Sequence, residues 1–199
     1  MYANLAIAAL ASMAAAMPAP QAGSSPQEPL KFAGMSLRSA SPIHFGQINA
    51  NGSEFLIGAE PATYKPDVIE GDFNNQTVFT YVNGAGTIGL LTSVPGGQQI
   101  YVTEGNETIG QVAGQLKFTQ AHTARTDGPA IYTGFENVYD ATLQFENSSW
   151  VACPSPRIEG AYTVYAASRF TNATDECLGF NWRIVQLADN TTSAWQYTK

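Results

Sequence analysis

The residues that decide the fold are short alternating runs, of which QLKFT at 115–119 and TLQFE at 142–146 are the clearest. In both runs every second side chain is apolar, so one face of the segment is apolar and the other is polar. FNWRI at 180–184 repeats the pattern with three large apolar side chains on one face. A two-residue period is typical of a β-strand that covers a core on one side. These runs predict an all-β protein.

The chain from Pro42 onward continues as strand-like runs between turn residues. Asn51-Gly52 predicts the turn of a two-residue hairpin, and Pro95-Gly96 predicts the centre of a type II turn. Further runs rich in β-branched and aromatic residues lie at 78–82, 100–102 and 162–165. We expect one antiparallel domain over residues 42–199 with about nine to eleven strands, closed or nearly closed as a barrel. A β-trefoil-like arrangement and a sandwich are the alternatives.

The N-terminal residues predict export. Residues 5–16 read LAIAALASMAAA, an apolar run shorter than the ~18–20 residues that span a bilayer. Small residues at Ala14 and Ala16 suit a cleavage site, so we predict a signal peptide over residues 1–16. Residues 17–41 are rich in Pro, Ala, Ser and Gln, which predicts a flexible leader before the domain.

The number of N-glycosylation motifs supports the same route. The composition predicts about two N-x-[S/T] acceptors by chance, and the chain has six. A used acceptor must lie on the surface, because the glycan is bulky and hydrated. The predicted sites are Asn51, Asn75, Asn106, Asn147, Asn172 and Asn190.

The charge balance excludes two classes of partner. Lys and Arg total 9 against 16 Asp and Glu, and the net charge is −7. Phosphate contacts need clustered cations, so we predict no nucleic-acid binding. The chain lacks a polybasic segment for anionic lipid, and its last residues, WQYTK, are not the apolar tail of a lipid-anchor signal. We therefore expect no membrane anchor, while the oligomeric state stays open.

The two cysteines predict a disulfide in an oxidising compartment. Cys153 and Cys177 would close a ring that stabilises the fold by about 3.5 kcal/mol in the chain-entropy description. The alternative is a pair of buried thiols. The chain has no Cys-x-x-Cys, His-x-His or H-E-x-x-H spacing, so we predict no metal site.

Two further motifs have structural explanations. GAGTIG at 84–89 matches the dinucleotide-binding glycine pattern, but strand and turn residues follow it where that motif needs a helix. We therefore interpret it as a glycine-rich hairpin and predict no cofactor. The histidines are His44 and His122, and no G-x-S-x-G elbow presents a serine to either. His122 is predicted to be a hydrogen-bonded turn residue.

Hydrolysis or binding of carbohydrate would depend on acidic and aromatic residues. Glycoside hydrolysis needs two facing carboxylates, and the acids in or near strands are Glu54, Glu136, Asp140 and Glu146. We expect them to be solvated on outer faces. Trp150 and Trp182 flank the predicted disulfide, and we expect them to pack against it instead of forming a platform for sugars.

Several segments in order resemble one family of proteins secreted by filamentous fungi. They are SPIHFGQINA, PGGQQIYV, GQLKFTQAH, TGF, WVACP, GAYTVYAAS and ECLGF, spread over most of residues 41–180. The family is that of PhiA-like cell-wall proteins, also described as IgE-binding-protein-like. The resemblance implies a small secreted wall or surface protein without established chemistry, and pairing of Cys153 with Cys177. It implies no catalytic residues. Relatives hold a second cysteine pair around residues 64–71, where this chain has none, so we expect a looser loop over 59–76.

These observations favour a secreted, N-glycosylated, non-enzymatic protein of the fungal cell wall or surface. One alternative is a module that binds wall polysaccharide through Tyr and Trp side chains. Another is a weak carbohydrate-active enzyme. Action on a host protein is neither supported nor excluded by the residues.

Overall fold

The structure, a computed structural model, describes residues 28–198, which form an antiparallel β protein. The described residues contain fifteen strands, more than we expected, and β4, β9 and β15 have two residues each. One short 3₁₀ helix covers Glu107–Ile109. The strands are β1 Leu30–Leu37, β2 Gln47–Asn51, β3 Glu54–Ile57, β4 Thr63–Tyr64, β5 Phe79–Tyr81, β6 Ile88–Leu90, β7 Gln98–Thr103, β8 Leu116–Phe118, β9 Ala130–Ile131, β10 Phe135–Val138, β11 Thr142–Phe145, β12 Trp150–Pro154, β13 Tyr162–Ala166, β14 Leu178–Gln186 and β15 Gln196–Tyr197.

Thirteen strands form one sheet that closes on itself in two places. Pairing of β14 with β1 completes a ring through β2, β3, β13 and β12. Pairing of β3 with β8 completes a second ring that returns to β1 through β7, β6 and β5. The prediction of an all-β, antiparallel, barrel-like domain is therefore confirmed. Strands β4 and β15 pair separately as a small two-stranded sheet.

The predicted start of the domain is wrong, because β1 lies inside the segment interpreted as a flexible leader. Strand β1 pairs with β14, β2 and β5, and residues 30–37 are partly or fully buried. Its buried positions include Gly34 and Ser36, neither of which marks an apolar face in the sequence. The domain thus begins by residue 30. The predicted signal peptide, 1–16, and residues 17–27 of the predicted leader lie outside the described residues.

Aromatic side chains fill the centre of the protein. Trp150 and Trp182 are fully buried with ring centroids 5.0 Å apart. Phe79 meets Trp182 edge-on at 5.2 Å and stacks on Phe32 at 5.3 Å. Such offset and edge-to-face pairs are favourable beyond the area that they bury. The alternation that predicted the strands is therefore the packing pattern of this core.

The predicted turns are present in the structure, and one of them lies one residue later than predicted. The β2–β3 hairpin turns at Gly52 and Ser53, with φ of 67° and 66°, one residue later than predicted. Positive φ at both positions is typical of a type I′ turn. Pro95-Gly96 lies at a turn closed by the Gly97 amide donating to the Val94 carbonyl at 3.0 Å, as predicted. Residues 82–87 join β5 to β6, and the glycine-rich hairpin predicted over residues 84–89 is confirmed.

The predicted disulfide is present. Cys153 on β12 is bonded to Cys177, which immediately precedes β14. Strands β12 and β14 are also hydrogen-bonded neighbours, so the bridge reinforces an existing pairing. Within residues 28–198, no helix has the length and apolar character needed to span a membrane.

Candidate functional site

An open cleft lined by aromatic and amide side chains lies beside the small β4–β15 sheet. We call it the Trp195 cleft, and its volume is about 320 Å³. This volume is at the lower end of the ~300–1,000 Å³ typical of small-molecule pockets. Its lining residues are Thr63, Tyr64, Lys65, Gly71, Asp72, Phe73, Asn74, Asn75 and Trp195.

The fold assembles this cleft from two segments far apart in the chain. Strand β4 brings Tyr64 opposite Gln196 of β15. The loop that follows β4 is fixed to the same C-terminal segment, because the Asn74 amide donates to the Ser193 carbonyl at 2.8 Å. The Trp195 backbone is held in turn, since its carbonyl accepts from the Val94 amide at 3.0 Å. Both sides of the cleft are thus fixed by backbone hydrogen bonds.

The side chains of the Trp195 cleft suit a neutral polar ligand. Phe73 and Trp195 meet at 89° with their centroids 5.7 Å apart, and the side chain of Tyr64 is 52% exposed. The Lys65 ammonium is occupied, because it donates to the Ile69 carbonyl at 2.9 Å and lies 5.9 Å from the centroid of the Phe73 ring. Asp72 lies in the same lining and carries the opposite charge. Aromatic side chains with a few polar groups beside them are typical of small-molecule sites.

The two tryptophans considered for a sugar platform cannot serve as one. Trp150 and Trp182 are 0% exposed, and the Trp150 indole N–H donates to the Leu143 carbonyl at 2.7 Å. They pack on each other in the aromatic core. Trp195 is the tryptophan that is partly exposed.

Two of the four carboxylates weighed for catalysis are paired with arginines. Glu54, expected on an outer face, is instead buried, and it accepts from Arg157 Nε at 2.5 Å and from Gln115 Nε2 at 2.6 Å. Glu146 forms a two-point ion pair with Arg169, whose Nε lies 2.7 Å from Oε2. Hydrogen bonds from Arg169 hold the pKa of Glu146 below its ordinary value. Both acids are therefore held in place by arginine partners.

The other two acids lie on the β10–β11 hairpin. Glu136 is opposite Gln144 in the strand pairing, and Asp140 accepts from Asn137 Nδ2 at 2.7 Å at the hairpin tip. The adjacent Tyr139 is 95% exposed. Each carboxylate of this hairpin thus has a neutral amide side chain as its neighbour.

The histidines lie in separate turns. His44 Nδ1 accepts from the Arg38 amide at 3.2 Å, and its ring stacks obliquely on Phe45. His122 is exposed with φ of 63°, which agrees with its predicted position in a turn. Among the residues that the structure describes, no group of three or more His, Cys, Asp or Glu side chains could hold a metal ion.

The predicted glycosylation sites differ in their surroundings. Asn75, Asn147, Asn172 and Asn190 are exposed. Asn51 is partly buried, and its side chain is engaged at both ends: Nδ2 donates to the Glu60 carbonyl and Oδ1 accepts from Arg157, each at 3.0 Å. Asn106 is partly buried and caps the 3₁₀ helix by accepting from the Thr108 amide at 3.0 Å.

Two of these sites share a second groove. Asn106 and Asn172 line an open depression of about 520 Å³ between the 3₁₀ helix and the loop after β13. Ile109 and Val112, at 57% and 38% exposed, lie on the same stretch of chain. This groove has no aromatic lining, so it provides fewer features for selecting a ligand than the Trp195 cleft does.

The fold and surface define the chain as a disulfide-bonded, all-β domain with acceptor asparagines on exposed loops. The chain belongs to the family of PhiA-like secreted proteins, whose model matches residues 32–198. It is 32% identical over 165 residues to an uncharacterized secreted protein of Arthroderma benhamiae, across 76% of this chain and 77% of that relative. No solved structure matches the chain. The resemblance identified from the sequence is therefore confirmed, and the chain is a secreted fungal protein.

Sequence reasoning did not find the Trp195 cleft. Its residues come from positions 63–75 and 195, and only the pairing of β4 with β15 brings them together. Both strands have two residues, which is too short for an alternating pattern. The sole signal was a tryptophan in a polar stretch, NTTSAWQY, which offers a weak hint of an exposed aromatic residue.

Proposed function

We propose that this protein is an N-glycosylated, non-enzymatic component of the fungal cell wall or cell surface. The observation that carries the proposal is the placement of four acceptor asparagines on exposed loops of a secreted domain. An exposed acceptor has room for a glycan without disturbing the core. The net charge of −7 and the hydrated glycans would keep such a protein soluble at the wall.

The pairing of the carboxylates supports the non-enzymatic part. An acid–base pair for glycoside hydrolysis needs one carboxyl group with a raised pKa and a second one facing it. The pKa of Glu146 is shifted in the opposite direction by Arg169, and Glu54 is bound to Arg157. These contacts favour a structural role for both carboxylates over a catalytic pair.

Binding of wall polysaccharide is the second candidate function. It is favoured by the Trp195 cleft, which presents Tyr64 and Trp195 beside amide side chains. Stacking of a sugar ring on an exposed aromatic face would supply affinity without chemistry.

A single incubation separates these functions. Purified secreted protein is mixed with insoluble chitin, β-1,3-glucan or mannan, and both protein depletion and released reducing sugar are read from the supernatant. A passive wall glycoprotein gives neither signal and gives glycopeptides modified at the exposed asparagines. Depletion without sugar release would replace the first function with polysaccharide binding. Sugar release would contradict the non-enzymatic proposal.

A further inference from the structure

Asn75 differs from the acceptor sites Asn106 and Asn172 in the second groove, because the cleft that it lines has aromatic side chains. It is exposed, and it shares that lining with the partly exposed ring of Trp195 and with Tyr64. A glycan attached here would therefore start inside an aromatic cleft instead of projecting from an open loop.

The backbone around Asn75 is held on both sides by the segment that carries Trp195. On one side the Asn74 amide donates to the Ser193 carbonyl at 2.8 Å. On the other side the Gln76 carbonyl accepts from the Tyr197 hydroxyl at 2.6 Å. The Gln76 amide also donates to Asn74 Oδ1 at 2.7 Å, which fixes a tight turn around Asn75. Hydrogen bonds thus join the backbone on either side of Asn75 to the segment that carries Trp195.

We propose that the Trp195 cleft is the binding site of the protein's own N-glycan, in which the first N-acetylglucosamine on Asn75 packs against Trp195. The inference rests on the proposed glycosylation. The linkage forms when Asn75 Nδ2 bonds to the anomeric carbon of a lipid-linked oligosaccharide diphosphate. The lipid diphosphate leaves and the amide loses one proton.

The chemistry of the cleft fits an uncharged sugar. Its one cation, Lys65, already contacts the Ile69 carbonyl and the Phe73 ring, and the oppositely charged Asp72 lies in the same lining. The volume of about 320 Å³ suits a small ligand. An apolar sugar face on Trp195 would also remove exposed aromatic surface from water.

Covalent attachment favours the protein's own glycan over a free polysaccharide. A tethered ligand has an effective concentration in the millimolar range, so weak stacking contacts suffice to hold it in place. A free polysaccharide would have to displace a sugar that is bonded to the wall of the cleft. The position of Asn75 therefore favours the attached glycan as the ligand of the cleft.

The test uses tryptophan fluorescence, because Trp150 and Trp182 are fully buried and acrylamide quenching reports mainly on Trp195. The secreted glycoprotein is compared with Asn75→Gln and with Asn172→Gln, an exposed acceptor outside this cleft. We expect the quenching constant to rise for Asn75→Gln and to stay unchanged for Asn172→Gln. Glycopeptide mapping of the unaltered protein should find Asn75 occupied.

Trimming the folded protein with an endoglycosidase that leaves one N-acetylglucosamine gives a second measurement without a variant. Quenching should remain low after trimming, since the first sugar is the one placed on Trp195. An unmodified Asn75 would overturn the inference, as would equal quenching of Asn75→Gln and the unaltered protein.

A binding experiment tests the alternative that a free polysaccharide occupies the cleft. If the protein with Asn75 occupied binds chitin or β-glucan and loses this binding in Tyr64→Ala, the cleft holds a foreign glycan and the inference is wrong. Occupied glycans at Asn147, Asn172 or Asn190 with a bare Asn75 would leave the proposed function standing and remove only this inference.

Discussion

Tyr197 joins two parts of the chain that lie 119 residues apart. Its hydroxyl accepts from the Val78 amide at 3.1 Å and donates to the Gln76 carbonyl at 2.6 Å, and its ring is 2% exposed. The hydroxyl is thus the link between β15 and the start of β5. Removing it leaves a buried amide without its partner, a loss that costs about 1–3 kcal/mol.

We therefore expect Tyr197→Phe to lower the free energy of unfolding by about 1–3 kcal/mol in denaturant titrations. Tyr139→Phe is the matched control, because Tyr139 is 95% exposed, and it should leave the unfolding free energy unchanged. Equal stability of the two variants would show that the Tyr197 hydroxyl contributes nothing.

The same tyrosine predicts a loss of stability in alkali. Burial raises the pKa of Tyr197 to about 12, and that of Tyr101 to about 12 as well. The unfolded chain loses each phenolic proton near pH 10 while the folded protein keeps it. The stabilisation is therefore complete below pH 10 and is lost as the pH rises from 10 to 12. Tyr197→Phe should show a shallower decline over this interval, measured by urea unfolding at each pH. A slope equal to that of the unaltered protein would contradict the assignment.

At the scale of elements, β1 shows where the sequence pattern stops being informative. Its inward positions are Phe32, Gly34 and Ser36, and only the first is apolar and large. Gly34 is required there because a Cβ atom would lie 2.7 Å from the ring of Trp182. Ser36 is buried because its hydroxyl donates to the Gly46 carbonyl at 3.1 Å. The contacts with Trp182 and with the Gly46 carbonyl thus require small residues at two inward positions, so β1 lacks the alternation of large apolar and polar residues that predicts a strand.

The elements that were predicted have the opposite property. Strands β8, β11 and β14 place large apolar side chains on one face of the sheet, so the period-two pattern survives in the sequence. Strand β3 is buried along its whole length, because Glu54 is satisfied by Arg157 and Gln115. The sequence predicts a solvated acid at this position, because the two partners of Glu54 come from distant segments of the chain. Local periodicity therefore predicted the strands, while the ion pairs and the Trp195 cleft depend on contacts that no local pattern encodes.

The turn that precedes β8 contains a glycine, Gly114, whose replacement tests the steric need for glycine there. Gly114 has φ of 82°, and a Cβ there would lie 2.8 Å from the backbone nitrogen of Phe170. Gly84 has φ of 77° with no atom near its Cβ position. Gly84→Ala should cost about 1–2 kcal/mol for the left-handed backbone alone. Gly114→Ala should cost more, because the loop around Phe170 must also move. Equal melting temperatures for the two variants would remove the steric argument.

The disulfide stabilises the β12–β14 pairing through the unfolded chain. The two cysteines are 24 positions apart, and closing such a loop is worth about 3–4 kcal/mol in the chain-entropy description. We expect the double variant Cys153→Ala/Cys177→Ala to lose about that much unfolding free energy while keeping its β circular dichroism spectrum. Reduction of the unaltered protein breaks the same bridge without replacing a side chain, so it is the control for the change in side-chain packing. A double variant as stable as the unaltered protein would contradict this role.

At the scale of the whole molecule, the two ring closures make the fold depend on its first strand. Pairing of β1 with β14 joins residues 32–37 to residues 181–186, and the opposite edge of β1 is shared by β2 and β5. Every ring of the sheet therefore passes through β1. Such long-range pairing also predicts slow folding, since distant segments must meet before the sheet closes.

Two truncations test whether the domain begins at β1 or at the predicted boundary of residue 42. Both are secreted behind the same foreign signal peptide, one starting at residue 28 and the other at residue 42. The longer chain retains β1 and should melt cooperatively. The shorter chain leaves β14, β2 and β5 without their common neighbour and exposes core side chains such as Trp182, which packs against Gly34. We expect it to be retained in the cell or to be secreted without a cooperative melting transition. A shorter chain that melts like the longer one would show that β1 is an accessory strand and that the rings close without it.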